Sequence, residues 1–314
     1  MEVGTDRPAW LKKEIMRLKK EKNALIMAHY YQRDEIQEIA DFIGDSLALA
    51  RQAAKTDADI ILMCGVHFMG ETAKILCPEK KVIIPDMNAG CSLADSCDPV
   101  EFEKFVSLLP DHTVISYVNT SAAVKALTDI VVTSGNARKI VDQLPSDEKI
   151  IFGPDKNLGE YINSVTGRNM VLWNGACHVH DRFSLEKIAE LKKEHPGAKI
   201  LVHPECRRPL QLIADKVGST ASLLEFAQND EAKEYIVVTE SGILFEMKKK
   251  CPGKVFIAAP AEDTECQCNE CDFMKMNTLE KVYNALRDEK PEINVDKEVA
   301  DKAVKSIERM LEMS

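Results

Sequence analysis

Residues 24–31 have the sequence ALIMAHYY, a short apolar run that ends in a histidine and two tyrosines. Runs of the same kind return at 113–119 (TVISYVN) and at 199–205 (KILVHPE). Longer amphipathic stretches separate them, and this alternation predicts an α/β fold with mainly parallel strands. Equivalent positions in the three runs are 88 and 86 residues apart. A fixed period of this length indicates three duplicated units.

Each unit contains two further strand-like runs. In the first unit they lie at 59–66 and 81–86. Because no low-complexity linker separates the units, we expect three tightly packed lobes. The other strand-like runs are 129–133, 149–153, 235–239 and 254–258, and the predicted lobes are 1–95, 96–182 and 183–297, with a closing helix at 298–314 packed on the first lobe.

Polar side chains stand two residues apart at the end of each opening run. In open α/β sheets the ligand crevice lies beyond the carboxyl ends of the strands, so these residues are expected to face one site. Any one of them alone is equally consistent with ordinary turn chemistry, but three equivalent pairs favour the shared site. The pairs are His29 and Tyr31, Tyr117 and Asn119, and His203 and Glu205.

Composition bounds the function. The chain has 314 residues, of which 45% are apolar and 29% charged, as in ordinary globular proteins. Forty-one basic against fifty-one acidic residues give a net charge of -10, which disfavours nucleic acid and anionic membrane surfaces as partners. Residues 1–23 lack the apolar core of a signal peptide, and the run at 60–66 is far shorter than a membrane span. We therefore expect a cytoplasmic protein.

Ten cysteines point to metal or thiol chemistry, since disulfides are rare in a reducing compartment. Cys91, Cys177 and Cys271 follow strand-like runs in the three units and are 86 and 94 residues apart. A pseudo-threefold arrangement would bring their thiolates together. Zinc usually requires a fourth protein ligand, whereas an iron-sulfur cluster with three cysteine ligands keeps one iron open for Lewis-acid chemistry. A cluster ligated only by cysteine would favour electron transfer.

The other cysteines are of two kinds. Cys64, Cys77 and Cys251 are predicted to be buried core residues, while the spacing of Cys97 and Cys206 leaves their role open. Cys266 and Cys268 lie close to Cys271, as metal ligands or redox pairs do. A disulfide between Cys268 and Cys271 would gate activity by oxidation. The alternative, that Cys266 and Cys268 are spectators on a flexible loop, is equally open.

Eight motifs spread over nearly the whole chain make the sequence similar to the quinolinate synthase family, the A protein of NAD biosynthesis. Together they are highly specific. They are 28–32 (AHYYQ), 39–46 (IADFIGDS), 117–119 (YVN), 153–159 (GPDKNLG), 202–206 (VHPEC), 217–220 (VGST), 239–243 (TESGI) and 274–279 (MKMNTL).

The resemblance implies a fold of three Rossmann-like α/β/α lobes in a pseudo-threefold arrangement around a central [4Fe-4S] cluster. It implies condensation of iminoaspartate with dihydroxyacetone phosphate to quinolinate, phosphate and water, with L-aspartate oxidase or aspartate dehydrogenase supplying the iminoaspartate. Cys91 in NAGC, Cys177 in NGACHVH and Cys271 match the cluster ligands. Cys271 is chosen because the third ligand of the family stands just before the M-x-x-N-T-L stretch.

The chemistry suggests roles for the strand-end residues. Dehydration needs a base for a carbon-bound proton and an acid or metal for the departing hydroxyl. We expect Glu205 to be the base, His203 to orient it, and Tyr31 and Tyr117 to deliver protons. An acidic chain should bind phosphate and carboxylates with hydroxyls and helix N-termini. The expected substrate-binding residues are His29, Ser46, Asn119, Ser134, Ser219 and Thr220, although Ser46 is equally consistent with a plain N-cap.

Two further classes of function stay open on the sequence alone. One is an electron-transfer or redox-sensing iron-sulfur protein, and the other is a zinc-stabilised binding module. His178 and His180 flank Cys177 and are expected to shape its loop or to hydrogen-bond cluster sulfides. The favoured hypothesis is the condensing enzyme.

Overall fold

The computed structural model describes residues 6–262 and 269–314. These residues form three parallel four-stranded sheets with helices between the strands, which confirms the predicted three-lobed α/β fold. Within the described residues, no helix has both the length and the apolar character needed to cross a membrane.

The first sheet has the order β2-β1-β3-β4. The two central strands of this sheet are apolar over most of their length, so helices can bury both of their faces. The elements are α1 (Arg7–Glu21), β1 (Ala24–His29), α2 (Asp34–Gln37), β2 (Phe42–Gly44), α3 (Ser46–Ala53), β3 (Ile60–Cys64), α4 (His67–Leu76), β4 (Lys81–Ile83) and α5 (Ser92–Asp95).

The second sheet repeats this order as β6-β5-β7-β8. Its elements are α6 (Pro99–Ser107), β5 (Thr113–Tyr117), α7 (Ala122–Lys125), β6 (Ile130–Val132), α8 (Ala137–Gln143), β7 (Ile150–Gly153), α9 (Lys156–Thr166) and β8 (Val171–Leu172), followed by a 3-10 turn at His180–Arg182.

The third sheet has the order β10-β9-β11-β12. Its elements are α10 (Leu185–Glu194), β9 (Lys199–Val202), α11 (Arg208–Leu212), β10 (Lys216–Val217), α12 (Thr220–Asn229), β11 (Glu234–Val238), α13 (Ile243–Lys250) and β12 (Val255–Ala258), followed by α14 (Asp272–Lys275).

Two closing helices tie the first two lobes together. The helix α15 (Leu279–Asp288) packs against α1 and β3 of the first lobe. The helix α16 (Lys297–Met313) packs against α4 of the first lobe and against α7 and β6 of the second, burying Ile307 and Met310. The lobe boundaries at residues 95 and 182 stay a prediction.

One hydrogen-bonded device repeats in all three lobes. An aspartate just before the second strand accepts a hydrogen bond from the backbone N–H of a first-strand residue 15 positions earlier, and donates its own N–H to that residue's carbonyl oxygen. These bonds fix the return of the chain to the sheet edge. The aspartates are Asp41, Asp129 and Asp215, bonded to Ile26, Val114 and Ile200.

The structure corrects how the predicted strands correspond. The run at 129–133 contains β6, which pairs with one side of β5 as β2 pairs with β1, so it matches β2 and not β3. The strand β7 is the true counterpart of β3. The sequence pattern did not predict the edge strands β2 and β10, because they have only three and two residues and show no alternation.

Candidate active site

The carboxyl ends of the three sheets meet at one cavity. It has about 690 Å³ of empty space, including its opening to solvent. Loops after β1, β5 and β9 contribute to its lining, as a crevice beyond the carboxyl ends of strands should. Twelve of the thirteen predicted site residues line it: His29, Tyr31, Ser46, Cys91, Tyr117, Asn119, Ser134, Cys177, His203, Glu205, Thr220 and Cys271.

Ser219 is the predicted site residue that does not line the cavity. It is the N-cap of α12, where its hydroxyl oxygen accepts a hydrogen bond from the Ser222 N–H. Ser46 is not an N-cap, because the carboxylate of Asp45 caps α3 through the Ala48 N–H. The Ser46 hydroxyl is therefore not needed to cap the helix, and Thr220 stands at the first position of α12.

Two of the three predicted ligand cysteines share a local geometry. Cys91 and Cys271 are the N-cap residues of α5 and α14, and Cys177 precedes the turn at His180–Arg182. Burial raises the pKa of the Cys91 and Cys271 thiols to about 12 and about 11, and raises that of Cys177 well above its usual value. Opposing this, backbone N–H groups two or three residues further on lie near each sulfur and lower the pKa, although within the described residues the sulfurs of Cys91 and Cys271 accept no capping hydrogen bond. Such donors stabilise thiolate ligands.

Two buried carboxylates hold two of these cysteine loops. Asp155, which follows β7, accepts a hydrogen bond of 3.3 Å from the Cys177 N–H. Glu240, which follows β11, accepts one of 3.1 Å from the Cys271 N–H and pairs with Lys275 at 3.0 Å. These contacts orient two of the three cysteines, and the donor set of three sulfurs fits an iron-sulfur cluster.

Glu205 is bonded through both oxygens of its carboxylate. Its Oε1 accepts a hydrogen bond of 2.5 Å from the Tyr117 hydroxyl, and its Oε2 lies 3.1 Å from Nδ1 of His180. Burial alone would raise the pKa of Glu205, but the neighbouring His180 and the Tyr117 hydroxyl bring it below its usual value. The carboxylate form is therefore favoured although the side chain is only 4% exposed.

A chain of hydrogen bonds links the two predicted tyrosines. The Tyr31 hydroxyl lies 2.7 Å from Oγ1 of Thr239, which lies 2.9 Å from Nε2 of His180. His180 then contacts Glu205, which accepts from Tyr117. Burial, followed by the nearby Glu205 charge, raises the pKa of both tyrosines well above the usual value. Both stay protonated phenols that can donate.

His29 and His203 are equivalent neutral donors. Burial lowers the pKa of each to about 3. The Nδ1 of His29 accepts the Tyr31 N–H at 3.2 Å, and the Nδ1 of His203 accepts the Glu205 N–H at 3.4 Å. These backbone donors place the proton on Nε2, which in His203 lies 3.2 Å from the Ser134 hydroxyl.

His180 was expected to shape the loop of Cys177 or to hydrogen-bond cluster sulfides. Its Nδ1 lies 3.3 Å from the Cys177 sulfur, and the same side chain also joins Thr239 to Glu205. The cavity also contains two acids that the sequence did not single out. Asp45 and Glu240 follow β2 and β11, just as the predicted residues follow the first strands. Extending the search for polar strand ends beyond the first strand of each unit would have found them.

Comparison with known proteins decides the family. The model of the family described as quinolinate synthetase A protein matches residues 13–312.

The chain belongs to this family.

Curated relatives support the assignment over nearly the full length. The quinolinate synthase of Synechococcus sp. is 54% identical over 310 residues, which cover 99% of this chain and 97% of the relative. The quinolinate synthase of Trichormus variabilis is 56% identical over 297 residues, covering 95% and 91%. That of Chloroherpeton thalassium is 53% identical over 301 residues, covering 96% and 94%. The chain is therefore an enzyme of the quinolinate synthase kind.

The remaining cysteines divide as follows. Cys64, Cys77 and Cys251 are buried, which confirms the prediction, and Cys97 and Cys206 are buried as well. Cys266 and Cys268 lie outside the described residues, so the disulfide between Cys268 and Cys271 stays a prediction.

Proposed function

We propose that this enzyme condenses iminoaspartate with dihydroxyacetone phosphate to form quinolinate, phosphate and two waters in the cavity between the three lobes. The observation that carries the proposal is the meeting of three cysteine thiols with Glu205, Tyr31 and Tyr117 in one cavity. Iminoaspartate is oxidised aspartate, so an L-aspartate oxidase or an aspartate dehydrogenase would supply it in the cytoplasm.

Cys91, Cys177 and Cys271 would hold a [4Fe-4S] cluster. The fit rests on three sulfurs lining one cavity, with the backbone N–H groups of Cys177 and Cys271 held by the carboxylates of Asp155 and Glu240. When bound through three cysteines, the cluster supplies an open iron as a Lewis acid for a departing hydroxyl.

The chain's own residues move the protons. Glu205, held as a carboxylate, accepts a proton from a substrate carbon. Tyr117 donates a hydrogen bond to Glu205, and His180 connects Glu205 to Thr239 and Tyr31. The proton that Glu205 accepts can therefore pass to Nδ1 of His180 while Nε2 of His180 gives one to Thr239. Tyr31, a phenol at neutral pH, donates to a substrate oxygen at the other end of this chain of bonds. A proton lost at one end of the site can therefore be delivered at the other.

Phosphate and carboxylates would bind without a cationic cluster. Among the described residues that line the cavity there is no lysine or arginine. The helices α3 and α12 instead begin at Ser46 and Thr220 in the lining, and helix N-termini attract anions. The buried Oδ1 of Asn119 has no hydrogen-bond partner among the described residues, as expected of a group that binds substrate.

A second candidate is a zinc site. The donor atoms of Cys177, His180 and Glu205 lie within 4.8 Å of one another. Sulfur, imidazole and carboxylate donors in that number, with water as a fourth ligand, suit zinc. The first candidate is favoured because His180 and Glu205 already have partners in Thr239 and Tyr117.

The test is anaerobic purification, analysis of iron, sulfide and zinc, and an assay with dihydroxyacetone phosphate and freshly generated iminoaspartate. We expect about four irons and four sulfides per chain and quinolinate that depends on both substrates. No quinolinate from protein with a full complement of iron and sulfide would overturn the proposal. One tightly bound zinc and no iron would favour the second candidate.

A further inference from the structure

Each of the three loops that carry the proposed site residues contains a repeated contact that the reaction does not explain. A buried side chain eight residues after His29, Tyr117 or His203 points its terminal nitrogen at the loop's own backbone. All three are fully or nearly fully buried, although long polar side chains are seldom found there. The three residues are Gln37, Lys125 and Gln211.

In the first lobe, the amide nitrogen of Gln37 donates to the carbonyl oxygens of Tyr30 at 3.1 Å and Gln32 at 2.9 Å. These two residues flank Tyr31 in the sequence. The backbone of Tyr31 is therefore held on both sides by one side chain.

In the third lobe, the amide nitrogen of Gln211 donates to Pro204 at 2.9 Å and to Cys206 at 2.7 Å, which flank Glu205. Counted from His203, the donor and the two acceptors have the same positions as those of the first lobe counted from His29.

The second lobe reaches the same geometry with a different residue. The Lys125 ammonium donates to the carbonyl oxygens of Val118, at 2.8 Å, and of Thr120, which flank Asn119. It also lies 5.3 Å from the centre of the Phe68 ring, a favourable distance for a cation over an aromatic face.

The glutamines also connect neighbouring lobes. The amide nitrogen of Gln37 also lies 2.9 Å from the carbonyl oxygen of Gly242 in the third lobe, so its two hydrogens are shared among three carbonyl oxygens. The amide nitrogen of Gln211 lies 3.5 Å from the carbonyl oxygen of Asn157 in the second lobe. The buried Oε1 atoms of Gln37 and Gln211 have no partner among the described residues, which is unfavourable for folding. The favourable polar contacts of both side chains are therefore those of their amide N–H groups.

We infer that Gln37, Lys125 and Gln211 are positioning residues that fix the three loops carrying Tyr31, Asn119 and Glu205. None of them lines the cavity. The expected effect on catalysis rests on the proposed function of these loops. The hydrogen bonds that hold the loops do not depend on that function. A misplacement of about 1 Å can reduce a rate about 100-fold, so loss of a positioning donor should act on turnover.

The first experiment compares Gln37→Met and Gln211→Met with Gln143→Met. Methionine keeps the shape and removes the donor. Gln143 is a control for loss of such a donor at the surface, because its exposed amide also donates to two backbone carbonyls, those of Lys139 and Met313, and it does not line the cavity. We expect kcat/KM per iron-loaded chain to fall about 100-fold in the first two and to stay within about threefold in the control. Iron content should stay at the wild-type level in all three.

The second experiment uses the difference between the lobes. Lys125→Gln installs the donor that the other lobes use, whereas Lys125→Met removes it. We expect Lys125→Gln to retain at least tenfold more activity than Lys125→Met. Equal activity of the two variants, or turnover near wild type in Gln37→Met and Gln211→Met, would overturn the inference.

Hydrogen exchange separates failure of this inference from failure of the proposed function. Amides of 30–32, 118–120 and 205–206 should exchange faster in the matching methionine variants and unchanged in Gln143→Met. If the wild type makes no quinolinate but this pattern holds, the proposed function is wrong and the positioning role stands. Unchanged exchange in every variant would refute the positioning role whatever the activity.

Discussion

Two glutamate-histidine pairs lie at opposite ends of the third sheet and have almost the same separation. Glu205 and His180, at the carboxyl ends of the strands, are 3.1 Å apart with side chains 4% and 3% exposed. Glu234 and His195, at the amino ends, are 3.4 Å apart with side chains 39% and 34% exposed. Solvent screens the second pair and not the first. Burial, and not the pairing of glutamate with histidine, therefore distinguishes the candidate active site from the surface.

Cysteines in the cavity and in the core can be compared in the same way, and the largest effect is expected on cluster content. Cys177→Ser, Cys91→Ser and Cys271→Ser should each lose the cluster, because each removes one of three sulfurs around the cavity. Cys64→Ser, inside β3 and away from the cavity, is the matched control and should keep it. The measurement is iron and sulfide per chain after anaerobic reconstitution. Iron near the wild-type level in Cys177→Ser would break the comparison.

The two glutamates are tested directly by matched substitutions. Glu205→Gln should lower kcat by about 100 to 10,000-fold, because it removes a general base while preserving shape. Glu234→Gln should leave kcat within about threefold of wild type, because its partner His195 is exposed to solvent. Single-turnover rates in iron-loaded protein decide between them. Equal rates in the two variants would remove the proposed role of Glu205.

Two tyrosines, one in the cavity and one near the amino end of β11, allow the same test of buried against peripheral groups. Tyr31→Phe should lower kcat about 100-fold if its hydroxyl transfers a proton. Tyr235, whose hydroxyl donates to Asp230 at 3.0 Å near the amino ends, is the control. Tyr235→Phe should cost about 1–2 kcal/mol of unfolding free energy and leave kcat unchanged. A kcat loss of less than about threefold in Tyr31→Phe would exclude proton transfer by this group.

The smallest effect is expected at an exposed pair. Hydrogen bonds from Lys22, and then from Lys81, lower the pKa of Glu289 to about 2. A lowered carboxyl pKa stabilises the fold above the ordinary pKa, and this stabilisation is lost as the pH falls toward 2. Because Glu289 is 32% exposed, Glu289→Gln should cost at most about 1 kcal/mol at pH 7, and less at pH 4. Chemical denaturation at the two pH values measures the difference, and a cost that grows on acidification would contradict this assignment.

Much of the architecture could be predicted from the sequence because it is repeated. The period of 88 and 86 residues located the three first strands and the polar pairs that follow them. The edge strands could not be found, since β10 has only two residues and its position depends on pairing with β9. Because β2 is missing from the predicted runs, their order aligns 129–133 with 59–66, which contains β3, although its true counterpart is β2.

The site was predictable to the extent that its residues follow first strands. The sequence placed Tyr31, Tyr117 and Glu205 together, but it could not connect them, because His180 and Thr239 come from other loops. Ser219 was expected in the cavity, yet its hydroxyl caps α12. Which of several adjacent hydroxyls caps a helix depends on backbone geometry that composition does not determine.

The central claim is that three thiols at the junction of the lobes hold iron and leave one iron open to substrate. Mössbauer spectroscopy of anaerobic protein reconstituted with ⁵⁷Fe tests it most directly. The account predicts that one iron in each cluster differs from the other three, and that its signal changes when dihydroxyacetone phosphate is added. Four equivalent irons that do not respond to dihydroxyacetone phosphate, or zinc in place of iron, would contradict it.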